Sequence, residues 1–299
     1  MQEKLTIGYI GLGIMGKPMA HNILKSGFSV VVHNRSRAAV KELVAEGAKE
    51  AYSAAEVADQ VDVVMTNLPD SPDVEMVVLG KEGIIESAHQ GLIFVDNSTI
   101  KPATSRMIAE RLGEKGVSCL DAPVSGGDIG AQKGTLAIMV GGPLAAYQRV
   151  LPIFQAIGKT ITHVGGVGAG QIAKAANQIM VAAQMVAMGE LLIFARKAGA
   201  EPEKVIQAIQ GGAAQCWTLD NKPARLFKGI RDPGFKAYMQ AKDLGIVLET
   251  ARQYGIPLPA AAIHSQLFTA MLEMGMAERD NSAVIGVLEV LSGVSLLEG

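Results

Sequence analysis

The chain has 299 residues, 49% of them hydrophobic and 19% charged, with a formal net charge of −2. Single cores stop growing at about 250–300 residues, so the length suggests two domains, and the apolar content argues against extended disorder. Near-neutrality argues against an electrostatic nucleic-acid or membrane surface.

Along the first half, strand-like and helix-like segments alternate. Leu5–Ile10 reads as a short strand, Ile14–Lys25 as a helix, Ser29–His33 as a β-branched strand and Arg37–Glu46 as a helix stopped by Gly47. Strands are predicted at Val61–Thr66, Leu92–Asp96, Val117–Asp121, Leu136–Val140 and Ile161–Val164, with helices at Val74–Leu79, Ser105–Lys115 and Leu144–Ala156 between them. This alternation predicts a mostly parallel, doubly wound sheet. Beyond Gly170 the strand signals stop. Helices are predicted over Gln171–Lys197, Pro202–Gln210, Asp220–Arg225, Ala241–Tyr254, Pro259–Met274 and Ser282–Leu291. The fold class is therefore α/β: a Rossmann domain over 1–166, then an all-helical domain over 167–299, joined through a long helix.

Gly11-Leu-Gly13-Ile-Met-Gly16 has GxGxxG spacing between a predicted strand and helix. In that context Gly11 allows a tight turn, Gly13 a close approach of pyrophosphate to the backbone, and Gly16 close helix–strand packing. Dinucleotide binding is thus expected at Gly11, Gly13, Ile14, Met15 and Gly16. The second strand ends in Asn34-Arg35-Ser36, where many NAD sites have an acidic residue for the ribose hydroxyls. A guanidinium and a hydroxyl suit a 2′-phosphate instead, so NADP(H) is expected in preference to NAD(H). Two further strand ends, near Leu68-Pro69 and Thr99, lie where parallel sheets bind ligands; their composition equally fits ordinary turns.

Ser125-Gly126-Gly127 offers successive N–H groups and a hydroxyl, a small anion cradle suited to a carboxylate. A loop that merely needs flexible glycines explains it as well. Lys174 carries the only formal charge between Lys159 and Glu190. It either snorkels to solvent or is held inside for chemistry. A positive charge near a helix N-terminus opposes the macrodipole, so the placement asks for a compensating role. Asn177 lies three residues on, on the same helix face.

The five histidines form no HxxxH or HExxH pattern, so no metal site is expected. Cys119 and Cys216 lack CxxC spacing and read as reduced thiols of a cytoplasmic protein. The amino-terminal residues lack a signal-peptide core, and the uncharged stretch Ala175–Gly189 is shorter than a membrane span.

Taken in order, Gly11–Gly16, Asp121–Gly127, Gly168–Asn177 and Lys242-Asp243-Leu244 resemble the β-hydroxyacid dehydrogenase family over nearly the whole chain. The resemblance implies NADPH-dependent reduction of a short aldehyde acid, tartronate semialdehyde to glycerate first, with glyoxylate, succinic semialdehyde or a 3-hydroxyisobutyrate-type substrate as alternatives. It implies that Lys174 is the general acid/base and that Ser125, Gly126, Gly127 and Asn177 hold a small carboxylate-bearing substrate. It also implies that Thr99 lies by the nicotinamide ribose, and that Phe235 and Lys242 close over the nicotinamide with Asp243 in support. A catalytically silent cofactor-binding scaffold is the non-enzymatic alternative. Gln215, Trp217 and Arg231 are candidates for the wall that sets substrate length. The long small-residue helix and the apolar C-terminal segment suggest a homodimer or homotetramer; a large monomer core could use the same residues.

Overall fold

In a computed structural model, which describes residues 5–230 and 232–296, the chain divides into two compact units that meet between Lys174 and Ala175.

The first unit is a nine-stranded sheet with helices on both faces. In chain order the strands are β1 (Thr6–Ile10), β2 (Ser29–His33), β3 (Lys49–Glu50), β4 (Val63–Thr66), β5 (Ile93–Asp96), β6 (Ser118–Asp121), β7 (Val124–Ser125), β8 (Leu136–Gly141) and β9 (Gly158–Gly165). The helices are α1 (Gly16–Lys25), α2 (Arg37–Ala45), α3 (Ala54–Ala58), α4 (Ser71–Leu79), α5 (Pro102–Gly113), α6 (Gly127–Lys133) and α7 (Leu144–Ile157). The sheet order is β3-β2-β1-β4-β5-β6-β8-β7, with β9 on β8. β1 to β6 pair in parallel, while β8 runs antiparallel to β6 and β7. The order reverses at β1, and sheets of this kind bind ligands outside the strand carboxyl ends at such a reversal, here β1 and β4.

Alternation along each strand feeds two cores. Ile7, Tyr9, Val30, Val32, Val63, Met65, Ile93 and Val95 pack on one face against α1, α2 and α7. Ile10, Val31, Val64 and Phe94 pack on the other against α3, α4 and α5. Parallel strands buried on both faces read as continuous apolar runs, as Val-Val-Val and Val-Val-Met do here.

The second unit is helical, with a core built from Met185, Leu192, Leu244, Phe268, Met271, Ile285 and their neighbours. Its helices are α8 (Ala169–Lys197, begun in the first unit), α9 (Pro202–Ile209), α10 (Trp217–Asn221), α11 (Pro223–Phe227), α12 (Ala237–Gln253), α13 (Pro259–Glu273) and α14 (Val284–Ser292). Among the described residues, α8 alone is long and apolar enough to cross a membrane, and half of that apolar stretch is buried within the protein.

Several elements differ from the sequence expectation. Asp220–Arg225 is not one helix: Pro223 has no N–H to continue α10, so the chain restarts as α11. β3 and β7 are two residues long, too short to show a period. Ser125-Gly126-Gly127 is not an open loop but the passage from β7 into α6, made by positive φ at Gly126 (139°) and Gly127 (64°).

The turn that leads into α8 is packed against the end of β6. A Cβ at Gly170 would lie 2.4 Å from the Asp121 carbonyl oxygen and 2.5 Å from that of Met139. Both are backbone atoms and cannot step aside. Gly170→Ala should therefore destabilise the protein by roughly 3 kcal/mol, the upper part of the overpacking range. Gly166→Ala, where a Cβ meets nothing within 4 Å, should stay within about 0.5 kcal/mol of wild type. Urea unfolding of both variants checks the contrast, and equal stability would contradict it.

Candidate active site

The glycine turn follows β1 directly. Gly11 has φ 95°, which the left-handed region reserves for glycine, and its N–H donates to the His33 carbonyl at 3.2 Å. Gly16 packs so closely that a Cβ there would sit 1.9 Å from the Gly11 oxygen. Gly13 differs: a Cβ would meet nothing within 4 Å, so the turn is open on that side. Gly13 and Ile14 are exposed and Met15 is half-buried. No side chain caps the N-terminus of α1. An open glycine turn at an uncapped helix start fits the pyrophosphate of a dinucleotide.

At the end of β2, Asn34 turns inward. Its Oδ1 accepts from Leu12 N–H at 3.0 Å and its Nδ2 donates to the Ser36 carbonyl at 2.9 Å. Asn34 thus ties the glycine turn, through Leu12, to the turn at the end of β2, through Ser36. Arg35 and Ser36 are exposed. The next residue, Arg37, is committed elsewhere: it donates to Ala51 O and Glu50 and lies over the Tyr52 ring.

The carboxyl ends of the central strands are laced crosswise. Thr66 Oγ1 donates to Asp96 at 2.8 Å, Leu68 N–H to Ser98 Oγ at 2.8 Å, and Asn97 Nδ2 to the Ala122 carbonyl at 2.7 Å. These ties hold the Leu68-Pro69 turn against the turn that carries Thr99. Leu68 and Thr99 are half-buried and Pro69 is exposed.

Asp121 closes the lacing. Its Oδ1 accepts from Gly168 N–H at 2.7 Å and its Oδ2 from Gln171 N–H at 2.8 Å, so a strand-end carboxylate caps α8. Three residues beyond Asp121, the Val124 carbonyl accepts from Lys174 Nζ at 2.9 Å. Lys174 is only 6% exposed, so it does not snorkel. Its bond to Val124 brings it beside the Ser125-Gly126-Gly127 passage, whose three residues are half-buried.

The remaining predicted residues lie in the helical unit. Asn177 Nδ2 donates to Gln178 Oε1 at 2.7 Å, Gln178 Nε2 to Asp243 Oδ2 at 2.6 Å, and Lys242 pairs with Asp243 Oδ1 at 3.1 Å. The structure thus joins Asn177, Asp243 and Lys242 through Gln178, a residue that sequence reasoning missed. Phe235 is placed by Asp280 and Asn281: its N–H donates to Asp280 Oδ2 at 3.4 Å and its carbonyl accepts from Asn281 N–H at 2.8 Å. Trp217 is exposed, and Arg231 lies outside the described residues. Gln171 was missed as well. The available signal was the i, i+3, i+7 spacing of Gln171, Lys174 and Gln178, three buried polar side chains on one face of an otherwise apolar helix.

Two family models match the chain. The NAD binding domain of 6-phosphogluconate dehydrogenase matches residues 6–165, and the NAD-binding domain of NADP-dependent 3-hydroxyisobutyrate dehydrogenase matches residues 168–288. Among relatives, 2-hydroxy-3-oxopropionate reductase of Escherichia coli is 41% identical over 98% of this chain and 100% of its own. The 2-(hydroxymethyl)glutarate dehydrogenase of Eubacterium barkeri is 37% identical over 100% of both. The solved 3-hydroxyisobutyrate dehydrogenase of Salmonella typhimurium superposes with a TM-score of 0.87 at 30% identity, covering 95% of this chain and 100% of that one. The chain belongs to the 3-hydroxyisobutyrate dehydrogenase-related β-hydroxyacid dehydrogenase family, and it is an NAD(P)-dependent oxidoreductase.

Asp121 gives the site a pH signature. Burial pushes its carboxyl up from 3.8 to about 6; the N–H groups of Gly168 and Gln171 pull the other way, and the charge of Asp96 adds to the rise. Because the folded value is the raised one, the stability linked to this proton is present below about pH 4 and lost as the pH rises through about 6, roughly 3 kcal/mol in all. Urea unfolding between pH 4 and 7 should show the wild type losing its advantage over Asp121→Asn across that window. A pH-independent difference between the two would contradict the assignment.

Proposed function

We propose that this chain is an NADPH-dependent reductase of a short aldehyde acid, with tartronate semialdehyde giving glycerate as its first substrate. The observation that carries the reading is Lys174: an almost fully buried ammonium, 2.9 Å from the Val124 carbonyl and beside the Ser125-Gly126-Gly127 passage. A buried cation is costly to keep, and proton transfer to a substrate oxygen is a use for it. The Escherichia coli relative, at 41% identity, acts by its name on 2-hydroxy-3-oxopropionate, which is tartronate semialdehyde. The Eubacterium barkeri relative acts on a different hydroxy acid, so the substrate class is broader than one compound.

A bound nicotinamide supplies the hydride. The work of this chain's own residues is to hold the cofactor, orient the substrate and move one proton. Gly11, Gly13 and Gly16 receive the pyrophosphate, with Ile14 and Met15 on the open side of the turn and Asn34 bracing it. Arg35 and Ser36 receive the 2′-phosphate; with Arg37 engaged by Glu50, Ala51 and Tyr52, Arg35 is the exposed guanidinium at the end of β2. Leu68 and Pro69, at the end of β4, would line the cofactor, and Thr99, after β5, would lie by its nicotinamide ribose. Ser125, Gly126 and Gly127 hold the substrate carboxylate, and Lys174 Nζ gives its proton to the carbonyl oxygen as the carbon is reduced. In the reverse direction neutral Lys174 takes the hydroxyl proton. Asn177, Phe235, Lys242 and Asp243 keep the roles that the family resemblance implies.

The same reading includes a cytoplasmic homodimer or homotetramer. Support comes from two free cysteines and from exposed apolar side chains of the helical unit, among them Met180 (58%), Phe194 (76%), Val290 (68%) and Leu291 (71%).

Lys174→Ala should lower kcat by about 10²–10⁴-fold, the usual share of a general acid. Activity within tenfold of wild type would remove Lys174 from the mechanism. Arg35→Ala should raise KM for NADPH while leaving that for NADH unchanged, and equal losses for both would sink the 2′-phosphate assignment. A steady-state comparison of tartronate semialdehyde, glyoxylate and succinic semialdehyde with each cofactor tests the substrate. Higher kcat/KM for either of the other two aldehydes would reassign it.

A further inference from the structure

We infer that Gln171 is a positioning residue, whose amide sets the distance between the Ser98–Ile100 turn and Lys174. The inference rests on Lys174 acting as proton donor. Gln171 is 1% exposed and uses both ends of its carboxamide on backbone atoms of one turn. Its Nε2 donates to the Ser98 carbonyl at 2.8 Å and its Oε1 accepts from Ile100 N–H at 3.1 Å. Thr99 is the residue held between those two bonds. Lys174 lies three residues further along the same helix face, and the main chain of Gln171 is itself fixed by Asp121.

The arrangement is selective for a carboxamide. A glutamate of the same length keeps the acceptor for Ile100 N–H but turns an oxygen towards the Ser98 carbonyl. A methionine fills a similar volume and makes neither bond. Helix α8 would still be capped by Asp121 in both cases, so the fold has a separate anchor. What the amide adds is a fixed reach from the turn of Thr99 to the side chain of Lys174, and misplacement of reacting groups by about 1 Å costs on the order of 10²-fold in rate.

Three variants test this: Gln171→Met, Lys174→Ala and the pair together, assayed with NADPH and tartronate semialdehyde, with NADPH affinity followed by its fluorescence. Gln171→Met should lower kcat by about 10- to 100-fold while KM and NADPH affinity stay within about threefold. In the Lys174→Ala background it should change the residual rate by less than about twofold, because the group it positions is gone. If Gln171→Met does not fold, Gln171→Glu carries the same test through its lost donor. A merely structural role predicts instead a loss of NADPH affinity or the same fractional loss in both backgrounds, and either result would overturn the inference. So would wild-type kcat in Gln171→Met when Lys174→Ala is impaired. If Lys174→Ala itself keeps wild-type kcat, the reading of Lys174 fails first and the role of Gln171 falls with it.

Discussion

The Asp121 carboxylate is the constraint on which the rest of this site depends. It sits at the end of β6 and caps a helix that starts 48 residues later in the chain, at Ala169. Local N-caps come from the residue just before the helix; here the acceptor arrives from a strand, so the helix start cannot move without the sheet edge. The glycines around it follow from that closeness. A Cβ at Gly141 would sit 2.6 Å from Asp121 Oδ1, and one at Gly168, whose φ is 87°, would sit 2.9 Å from Arg106 Nε. Burying this carboxylate is unfavourable in itself, as its raised pKa shows, and the two N–H donors at a helix N-terminus offset part of the cost. The arrangement also explains why the first turns of α8 belong with the sheet unit rather than with the helices that follow.

The Rossmann half was legible because its signals are periodic and local. Apolar runs of four or five residues, alternating with helices closed by glycine, follow directly from parallel strands buried on both faces. The glycine turn was legible for the same reason: strand, turn and helix are adjacent in sequence. The bonds that lace the strand ends were not legible. Asn34 stood out only by its place at the end of β2; that its amide bonds Leu12 N–H, 22 residues away, and the Ser36 carbonyl has no local signal. Gln171 and Gln178 read only as polar interruptions in an apolar run. Their partners, Ser98, Ile100 and Asp243, lie 73, 71 and 65 residues away, beyond the reach of any spacing rule.

The helical unit repeats the same logic around a buried ion pair. Lys222 Nζ donates to both oxygens of Asp280, at 2.7 and 2.8 Å, and to Asn281 Oδ1 at 3.1 Å, with both charged side chains almost fully covered. Burial alone would push the Asp280 carboxyl up, but Lys222 and the Ser282 hydroxyl outweigh it and hold it below the usual range. The Gly234 and Phe235 N–H groups bond the same carboxylate, at 3.0 and 3.4 Å. The segments Asp232-Pro-Gly-Phe-Lys and Asp280-Asn-Ser, far apart in sequence, are therefore halves of one contact. A buried charge needs fixed partners, and Phe235 owes its place to that contact.

One face of α8 carries both kinds of demand. Gln171, Lys174 and Gln178 occupy it first, each engaged with a different segment: the Ser98–Ile100 turn, the Val124 carbonyl and Asp243. Further along the same face, Ala182 and Met185 enter the helical core. Polar side chains on a buried face are tolerated only where each finds its partner, so the start of the helix cannot be repacked with apolar residues as its later turns can. The helix therefore tolerates substitution unevenly along one stripe: by volume from Ala182 onward, by hydrogen-bond geometry before it. Lys174 stands in the second class: between two glutamines that are bonded to other segments, its own ammonium is bonded to the Val124 carbonyl.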